Sequence, residues 1–409
     1  RYDMAELVPV EFWSYLNSNI KNKKPDSLLI AEVYQPDQFD NYIQLGKMDL
    51  LYDKVDMYDT LKGIIQNQKS CNDIFPVTER YYNYSDRLLH FLENHDEQRI
   101  ASPEFAGNAE KGKPAMVVSA TISTSPTMIY FGQEVGEPGA EDAGFGSPSR
   151  TSIFDYVGVP TLQRWVNDKQ FDGGNSTEKE KGLRDFYKRL LNFTINSSAL
   201  AENYQDIHHY NRQQTEWYND KVLSFVRWSD DEKLIIITNF NAENIYGFEL
   251  GLPQDIIEKW HLKDGDYQVK DQLYKKHTSI LKVKGNEAKV RVDIKPLESF
   301  ILKIQPALFG IPSLVFLNST IISPFVSSAI LVFRSTSFSS IFMSFLNLEE
   351  KKPFKMRDAS SRMMEFMELK IKQNGMTELS FRPKLIYLAC IKLQTLTRTS
   401  EAYGFSAGT

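Results

Sequence analysis

Three carboxylates in the early part of the sequence each follow a short apolar run. Asp3 closes Arg1-Tyr2-Asp3, Glu32 follows Leu29-Ile30-Ala31, and Asp96 closes Phe91-Leu92-Glu93-Asn94-His95-Asp96. Cleavage of a glycosidic bond with retention of configuration needs one carboxylate as nucleophile and one carboxylic acid as proton donor, roughly 5–5.5 Å apart. A third carboxylate would stabilise the positive charge that develops on the sugar and help to keep the acid protonated. The pattern therefore indicates a sugar-cleaving site.

Each of these residues also has an ordinary structural interpretation. A single Asp or Glu at the end of a strand is more often a helix cap or a surface ion-pair partner. Three in register favour a function, but spacing alone leaves the two interpretations about even. His95 has no second His or Cys at ligand spacing, so a hydrogen-bonded loop histidine is favoured over a metal ligand.

The apolar pattern of the first part of the chain alternates between helices and strands. Apolar residues recur every four positions over 8–22, which predicts an amphipathic helix with Pro9 in its first turn. The continuous apolar run 28–31 is typical of a parallel strand covered on both faces. The same reasoning predicts helices over 37–46, 55–67, 112–123 and 178–197, strands over 48–51, 88–92 and 127–131, and loops up to Asp86 and over 136–160.

Strands that alternate with helices predict parallel β/α units, and in a (β/α)8 TIM barrel the active face lies at the carboxyl ends of the strands. Strand ends after Asp3, Glu32, Leu51, Asp96 and Phe131 make about five of the eight strands of a closed barrel. We therefore expect an α/β chain whose residues 1–200 form the distal part of a barrel, about strands 4–8. The first three strands are expected upstream of Arg1.

After about Ala201 the apolar period becomes strand-like. Residues 221–228 and 233–239 flank Ser229-Asp230-Asp231-Glu232, which is a hairpin pattern. A small antiparallel β-sandwich domain over 201–305 is predicted. The pair His208-His209 has no acidic partner in register and is predicted to lie at the surface. Further strands are predicted over 246–250, 267–269, 279–283, 288–294 and 299–304.

The composition changes beyond Pro306. Residues 308–333 contain no charged residue and exceed the roughly 20 apolar residues that span a bilayer. Pro312 and Pro324 would make them a poor helix, so we rank a membrane span below a disordered tail or a terminus foreign to the domain. An amphipathic helix over 354–372 is compatible with the pattern, and 306–409 is assigned no function.

The composition excludes some partners. The formal net charge is −5 with acidic and basic residues mixed, so no basic surface predicts a nucleic-acid partner. Aromatic residues make up 12%, which fits sugar-stacking surfaces, although core packing explains most aromatics. Cys71 and Cys390 are too few for a disulfide framework and are predicted to be free thiols.

Four motifs, in order, resemble those of the α-amylase family of glycoside hydrolases. Arg1-Tyr2-Asp3-Met4-Ala5 resembles the nucleophile motif at the fourth barrel strand, and Ala31-Glu32-Val33 the acid/base motif at the fifth. Glu93-Asn94-His95-Asp96 resembles the stabiliser motif at the seventh strand, and Tyr130-Phe131-Gly132-Gln133-Glu134 the pattern after the eighth. Each motif alone is weak, but the ordered set is highly specific. The resemblance covers about residues 1–305, including the family's C-terminal β domain.

The resemblance implies a role for each matching residue. Asp3 is implied as nucleophile, Glu32 as general acid/base and Asp96 as transition-state stabiliser. Three further residues are substrate-binding candidates: Arg1, which would orient and charge-pair Asp3, His95, which would hydrogen-bond sugar hydroxyls, and Tyr34, for which sugar stacking and core packing are equal alternatives.

The implied activity is retaining hydrolysis of α-1,4-glucosidic bonds in starch-type glucans or maltooligosaccharides, in the complete protein. The alternatives are transglycosylation and a non-catalytic binding or membrane-partner module. The chemistry needs no cofactor, and no metal ligand is assigned. The resemblance leaves room for a structural Ca²⁺ with ligands partly upstream of Arg1. The compartment stays open, with a secreted or periplasmic location preferred to a cytoplasmic one.

Overall fold

The computed structural model describes residues 1–139, 150–151 and 158–305, and Arg1–Ser313 form one compact unit. The predictions for the tail 306–409, including 308–333, 354–372 and Cys390, lie outside the described residues, as do 140–149 and 152–157 of the predicted loop. No helix within the described ranges is long and apolar enough to cross a membrane. Cys71 is a buried free thiol, as predicted.

A parallel sheet lies at the centre of the first part of the chain. Its four strands pair in sequence order, and Tyr2 adds a parallel bridge to Ala31 at one edge. The apolar runs form strands because helices and loops cover both of their faces. The predicted parallel β/α arrangement is confirmed, although the second strand ends one residue later than predicted. The strands are β1 (Ile30–Ala31), β2 (Leu50–Tyr52), β3 (Leu88–Phe91) and β4 (Thr127–Met128).

Helices connect and flank these strands. The predicted helix over 8–22 is confirmed as α1, which buries Trp13 and Asn17. The loop predicted before Asp86 is wrong in part, because this region contains the helix α3. Pro76 does not break this helix, since it lies in the first turn, where no intrahelical N–H is needed. The helices are α1 (Val10–Lys23), α2 (Asp59–Ile65), α3 (Ile74–Arg80), α4 (Lys113–Thr121), α5 (Pro160–Val166) and α6 (Glu178–Thr194).

Two predicted helices form only in part. Residues 37–46 fold as the 3₁₀ turn Pro36–Gln38 and the π-helical turn Asn41–Leu45. A second π-helical turn, Lys54–Tyr58, precedes α2. In that turn Asp53 accepts the Met57 N–H with its side chain at 3.1 Å. Apolar spacing does not distinguish a π turn from an α turn over so few residues.

The predicted antiparallel β structure after about Ala201 is confirmed, and the domain bounds 201–305 stay a prediction. Its eight strands form one sheet in the order β5-β6-β7-β12-β9-β10-β11-β8, and the predicted hairpin closes with the Ser229 N–H donating to the Glu232 carbonyl at 2.9 Å. Two helices, α7 (His208–Gln214) and α8 (Gln254–Lys259), lie between strands. The strands are β5 (Asn203–Asp206), β6 (Val222–Trp228), β7 (Lys233–Asn239), β8 (Tyr246–Leu252), β9 (Gly265–Asp271), β10 (Thr278–Lys284), β11 (Glu287–Ile294) and β12 (Ser299–Ile304).

This sheet curls around its own core. Helix α7 packs on both β6 and β8, although β8 is an edge strand and β6 is next to the other edge. Tyr218 and Phe248 are in ring contact at 5.1 Å, and the Asn211 side chain donates to the Gly251 carbonyl at 3.0 Å. Such contacts between opposite ends require the sheet to close on itself, as in a sandwich.

Arg227 on β6 joins this domain to the helical layer of the parallel sheet. It is fully buried and donates to the carbonyls of Thr121 and Ser123 at 2.7 and 2.8 Å. It also donates to the carbonyls of Leu200 and Asn203 at 2.7 and 2.9 Å. Burial lowers the pKa of Arg227 to about 10, so the side chain stays charged at neutral pH while main-chain oxygens replace its water.

Arg227→Met should destabilise the chain by at least about 3 kcal/mol, because several buried carbonyls lose their donor at roughly 1–3 kcal/mol each. Arg291→Met is the matched control on β11, where the arginine is exposed, and should change the free energy of unfolding by less than about 0.5 kcal/mol. Urea denaturation measures both. Equal destabilisation by the two variants would contradict the role of Arg227.

The surface position predicted for His208-His209 is wrong for His208, and the prediction that the pair lacks an acidic partner is wrong for His209. His208 is fully buried, with Nδ1 3.1 Å from the Tyr218 hydroxyl and Nε2 3.0 Å from Asn72 Oδ1. His209 has an acidic partner, Asp206, at 3.0 Å. The loop around Asn72 covers the first turn of α7, and such a contact between distant segments leaves no local pattern. Burial, reinforced by the positive charges of His209 and Arg212, lowers the pKa of His208 to about 3.

Acid should therefore destabilise the chain through His208. Its pKa is lower in the folded chain than the ordinary 6.5, so the unfolded chain binds an extra proton as the pH falls below about 6.5. The free energy of unfolding should drop between pH 6.5 and 3 with a slope approaching about 1.4 kcal/mol per pH unit. Urea melts at several pH values should show a smaller slope for His208→Gln and an unchanged slope for the exposed control His261→Gln. An unchanged slope in His208→Gln would refute the assignment.

Candidate active site

The carboxyl ends of the parallel strands bring the predicted residues together. Asp3 follows the bridge residue Tyr2, Glu32 follows β1, and His95 and Asp96 lie in the loop after β3. Parallel strands end at the same edge of the sheet, so these side chains meet there. One potential ligand atom each of Asp3, His95 and Asp96 lie within 4.8 Å of one another.

Arg1 lies between these groups. Its Nη1 is 2.6 Å from Asp3 Oδ1, and its Nη2 is 3.3 Å from His95 Nε2 and 3.6 Å from Glu32 Oε2. Its Nε donates to the hydroxyl of Tyr52 at 2.9 Å. The guanidinium is planar and always charged, so one cation faces both carboxylates. This is the contact that the implied orienting role requires, and the role itself stays a prediction.

Asp3 and Glu32 have different environments. The side chain of Asp3 is 60% exposed and that of Glu32 only 8%. Partial burial of Asp3 opposes its ionisation, but the charge and hydrogen bond of Arg1 outweigh burial and hold the pKa of Asp3 below its ordinary value. Asp3 is therefore ionised at neutral and weakly acidic pH, as a carboxylate nucleophile must be.

A strained turn connects the two carboxylates. Met4 has φ 45° and ψ 40°, a left-handed conformation that is uncommon for a residue other than glycine. The turn directs the Met4 N–H at Glu32 Oε2, which accepts it at 2.7 Å. The next residue, Ala5, is fully buried, and its carbonyl accepts the indole N–H of Trp13 at 2.9 Å. Packing of Ala5 thus holds the strained amide against the predicted acid/base.

The loop after β3 is shaped by its own polar side chains. Asn94 Oδ1 accepts the N–H groups of Asp96 and Glu97, both at 2.9 Å, which is the turn that Asn favours. His95 Nε2 then lies 3.2 Å from Asp96 Oδ2 and 3.6 Å from Asp3 Oδ1. The loop brings His95 and Asp96 to Asp3 as one unit.

A buried ion pair underlies this loop. Glu93 accepts Arg99 Nη1 at 2.8 Å and the Ile100 N–H at 2.7 Å, and Arg99 Nε donates to Thr151 at 2.9 Å. The Arg99 guanidinium also lies 4.5 Å from the ring centroid of Tyr130. Burial raises the pKa of Glu93, and the charge of Arg99 opposes that shift. Arg99 thereby connects two motifs that the sequence identified separately.

Tyr34 is partly buried against the core of the parallel sheet. Its hydroxyl is buried without a hydrogen-bond partner, and burial, followed by the nearby Glu32 carboxylate, raises its pKa. Of the two alternatives for Tyr34, this packing favours core packing. A sugar-stacking role stays an untested prediction.

Sequence reasoning missed two parts of the site. Tyr52 lies beyond the apolar run predicted as a strand, and its contact with Arg1 joins positions far apart in the chain. Glu97 accepts the Tyr58 hydroxyl at 2.8 Å and lies 3.4 Å from the ammonium groups of Lys54 and Lys62. These lysines lie before and within α2, whereas Glu97 lies in the loop after β3, so no local pattern indicated the contact.

Among the described residues, Asp3, His95 and Asp96 form the one group of three side chains that could together bind a metal ion. Ca²⁺ prefers six to eight oxygen ligands, whereas this group has two carboxylates and an imidazole. Arg1 also supplies a positive charge beside Asp3. The cluster does not fit a structural Ca²⁺, and a site with ligands upstream of Arg1 stays a prediction.

A parallel β/α sheet with carboxylates at its strand ends, followed by an antiparallel domain, is the arrangement expected in part of a β/α-barrel glycosidase. The model of the alpha amylase catalytic domain matches residues 3–246, and that of the alpha amylase C-terminal all-beta domain matches residues 217–305. The first match covers more than half of the chain. The chain therefore belongs to the α-amylase family of glycoside hydrolases.

Known proteins resemble this chain in sequence or in fold. Alpha-amylase 2 of Dictyoglomus thermophilum is 24% identical over 250 residues, covering 60% of this chain and 40% of the relative. Neopullulanase 2 of Thermoactinomyces vulgaris is 23% identical over 254 residues, covering 59% and 37%. A noncanonic maltogenic alpha-amylase, AmyB from Thermotoga neapolitana, has a TM-score of 0.53 at 19% identity, covering 75% of this chain and 60% of that chain. The match spans less than half the length of the two curated relatives.

Arg99→Met should cost about 3–5 kcal/mol of unfolding free energy, because it leaves the buried carboxylate of Glu93 without its cation. The double variant Arg99→Met/Glu93→Gln removes the unpaired charge and should recover part of that loss. Guanidinium chloride denaturation of the wild type, both single variants and the double variant gives the coupling energy. Additive effects of the two single substitutions would contradict the pairing.

Proposed function

We propose that the protein is a retaining hydrolase of α-1,4-glucosidic bonds in starch-type glucans or maltooligosaccharides. The main support is the pair of carboxylates at neighbouring strand ends, Asp3 and Glu32, on either side of the Arg1 guanidinium. Relatives named alpha-amylase and maltogenic alpha-amylase support the substrate class. The match covers only part of the length of those proteins. The proposed activity is therefore that of the whole protein.

The proposed reaction has two steps. Asp3 attacks the anomeric carbon while Glu32 gives its proton to the leaving glycosidic oxygen, which forms a covalent glycosyl-enzyme ester. Glu32 then takes a proton from water as the water attacks the same carbon, and Asp3 leaves as carboxylate. Two inversions give net retention, and both carboxyl groups return to their starting protonation states.

The surrounding groups support these assignments. The low pKa of Asp3 keeps the nucleophile ionised. Glu32 is largely buried beside it, and its Oε2 accepts the Met4 N–H. Asp96, close to Asp3 across His95, would stabilise the cationic sugar of both transition states. His95 is proposed to hydrogen-bond sugar hydroxyls.

Transglycosylation is the nearest alternative, with a sugar hydroxyl replacing water in the second step. The contacts of the described residues do not favour one acceptor over the other, and chromatography of the products separates the two outcomes. A non-catalytic module is disfavoured, because all three carboxylates and their ion-pair partner are present.

Two substitutions should separate the roles of Asp3 and Glu32. In the natural polypeptide that contains this chain, Glu32→Gln should lower maltooligosaccharide hydrolysis by about 10²–10⁴-fold. With an α-glucosyl fluoride, which needs no acid for departure, Glu32→Gln should still form the intermediate and accumulate it, because no base activates water. Mass spectrometry should then find the sugar on Asp3, whereas Asp3→Asn should form no intermediate with either substrate.

Glu11→Gln is the matched control, since Glu11 lies exposed on α1 away from the site, and it should retain wild-type turnover. Circular dichroism checks that all variants are folded. Near-wild-type hydrolysis by Glu32→Gln, or a sugar attached to a residue other than Asp3, would refute the proposed roles.

A further inference from the structure

Tyr52 is a buried residue at the candidate site that none of the implied roles includes. It is the last residue of β2, is 3% exposed, and is paired in register with Leu89 of β3. Its ring lies 5.4 Å from that of Phe91. Strand pairing and ring packing therefore fix its position independently of any side chain of the site.

The hydroxyl of Tyr52 contacts the one nitrogen of Arg1 that faces neither carboxylate. Arg1 Nε donates to it at 2.9 Å, while Nη1 faces Asp3 and Nη2 faces His95 and Glu32. To reach Tyr52, the arginine extends from the sheet edge past the end of β1. A guanidinium is rigid and planar, so a fixed Nε determines where the two terminal nitrogens point.

We propose that Tyr52 is a positioning residue that acts through Arg1: its hydroxyl fixes the guanidinium in the plane that pairs Arg1 with Asp3. Without the hydroxyl, Arg1 Nε loses its hydrogen bond and keeps only the non-directional contact of the guanidinium with the Tyr52 ring, at 5.4 Å. The arginine can then rotate towards solvent, because its side chain is 28% exposed and that of Asp3 is 60% exposed. An exposed ion pair between mobile side chains is weak. The expected effect on kinetics rests on the proposed function. The expected effect on the position of Arg1 does not depend on that function.

The pKa of Asp3 depends on the position of the Arg1 guanidinium. Arg1 holds the pKa of Asp3 low, so a misplaced guanidinium should raise it. Burial raises the pKa of Tyr52 itself, with the charge of Arg1 opposing, and the hydroxyl therefore remains a neutral acceptor for Arg1 Nε at working pH. The charged and titratable groups that face Asp3 are Arg1, Glu32, His95 and Asp96. Tyr52→Phe substitutes none of them, and Arg1 is the one whose side chain the Tyr52 hydroxyl contacts.

The first test needs no turnover. The full chain is labelled with ¹³C at Asp carboxyl groups, the Asp3 signal is assigned by its loss in Asp3→Asn, and it is titrated by NMR. Tyr52→Phe should raise the measured pKa of Asp3. Tyr42→Phe is the matched control, because Tyr42 is equally buried and its hydroxyl donates to the Val8 carbonyl at 3.1 Å, and it should leave the Asp3 titration unchanged.

A double-mutant cycle tests whether Tyr52 acts through Arg1. Arg1→Lys removes Nε, and a single ammonium does not contact Tyr52 and Asp3 in the same way. Tyr52→Phe should therefore raise the pKa of Asp3 in the wild-type background and have no further effect in the Arg1→Lys background. If Tyr52→Phe does not fold, ¹⁵N NMR of the wild type decides: the Arg1 Nε–H, which donates to the Tyr52 hydroxyl, should exchange with solvent more slowly than that of a free arginine side chain. Exchange as fast as in free arginine would contradict the anchoring of Arg1 by Tyr52.

The kinetic test uses the natural polypeptide. The acid limb of the kcat/KM profile should move to higher pH in Tyr52→Phe, with kcat reduced more than KM is raised, and Tyr42→Phe should keep the wild-type profile. An unchanged Asp3 titration and an unchanged acid limb in Tyr52→Phe would overturn the inference. If the wild type hydrolyses no α-glucan, the proposed function fails, and the NMR result still accepts or rejects the positioning role.

Discussion

The parallel register of the sheet is the constraint on which the candidate site depends. Pairing from Tyr2 through β1, β2 and β3 places the ends of these strands side by side. Asp3 and Glu32 directly follow Tyr2 and β1, Tyr52 ends β2, and the loop after β3 carries His95 and Asp96. A shift of one residue in any strand would turn its last side chain to the other face. The buried apolar residues of the strands resist such shifts, so the core of the sheet holds the site in register.

Within that frame, the electrostatics depend on one cation. Arg1 is the only basic side chain of the described residues in contact with both Asp3 and Glu32, and its placement depends on groups from several strands. Asp3 lies on the same segment, Tyr52 ends β2, and His95 follows β3. Charges that come from separate elements stay together only if those elements are rigid, which explains the buried pair Glu93–Arg99 and the Asn94 turn beneath the loop.

The antiparallel domain contributes to this rigidity from outside the site. Arg227 donates to carbonyls at and just after the end of α4, the helix that leads into β4. His208 contacts Asn72 in the segment before α3. Both are buried polar groups whose partners lie far away in sequence. They stabilise the helical layer that covers the parallel sheet, and through it the positions of the strand ends.

Sequence alone determined the local features of this protein. The period of the apolar residues identified α1, the parallel strands and the hairpin of β6 and β7, because side-chain burial repeats every two or about every four residues. The motifs around Asp3, Glu32 and Asp96 indicated the chemistry only as an ordered set, because a single carboxylate at a strand end is more often a helix cap or an ion-pair partner. Tertiary structure alone decided the π turns before α2, the burial of His208 and the contact of Tyr52 with Arg1. Each of these depends on contacts between residues that are far apart in the sequence. Such contacts form only when distant segments pack together, so no local sequence pattern predicts them.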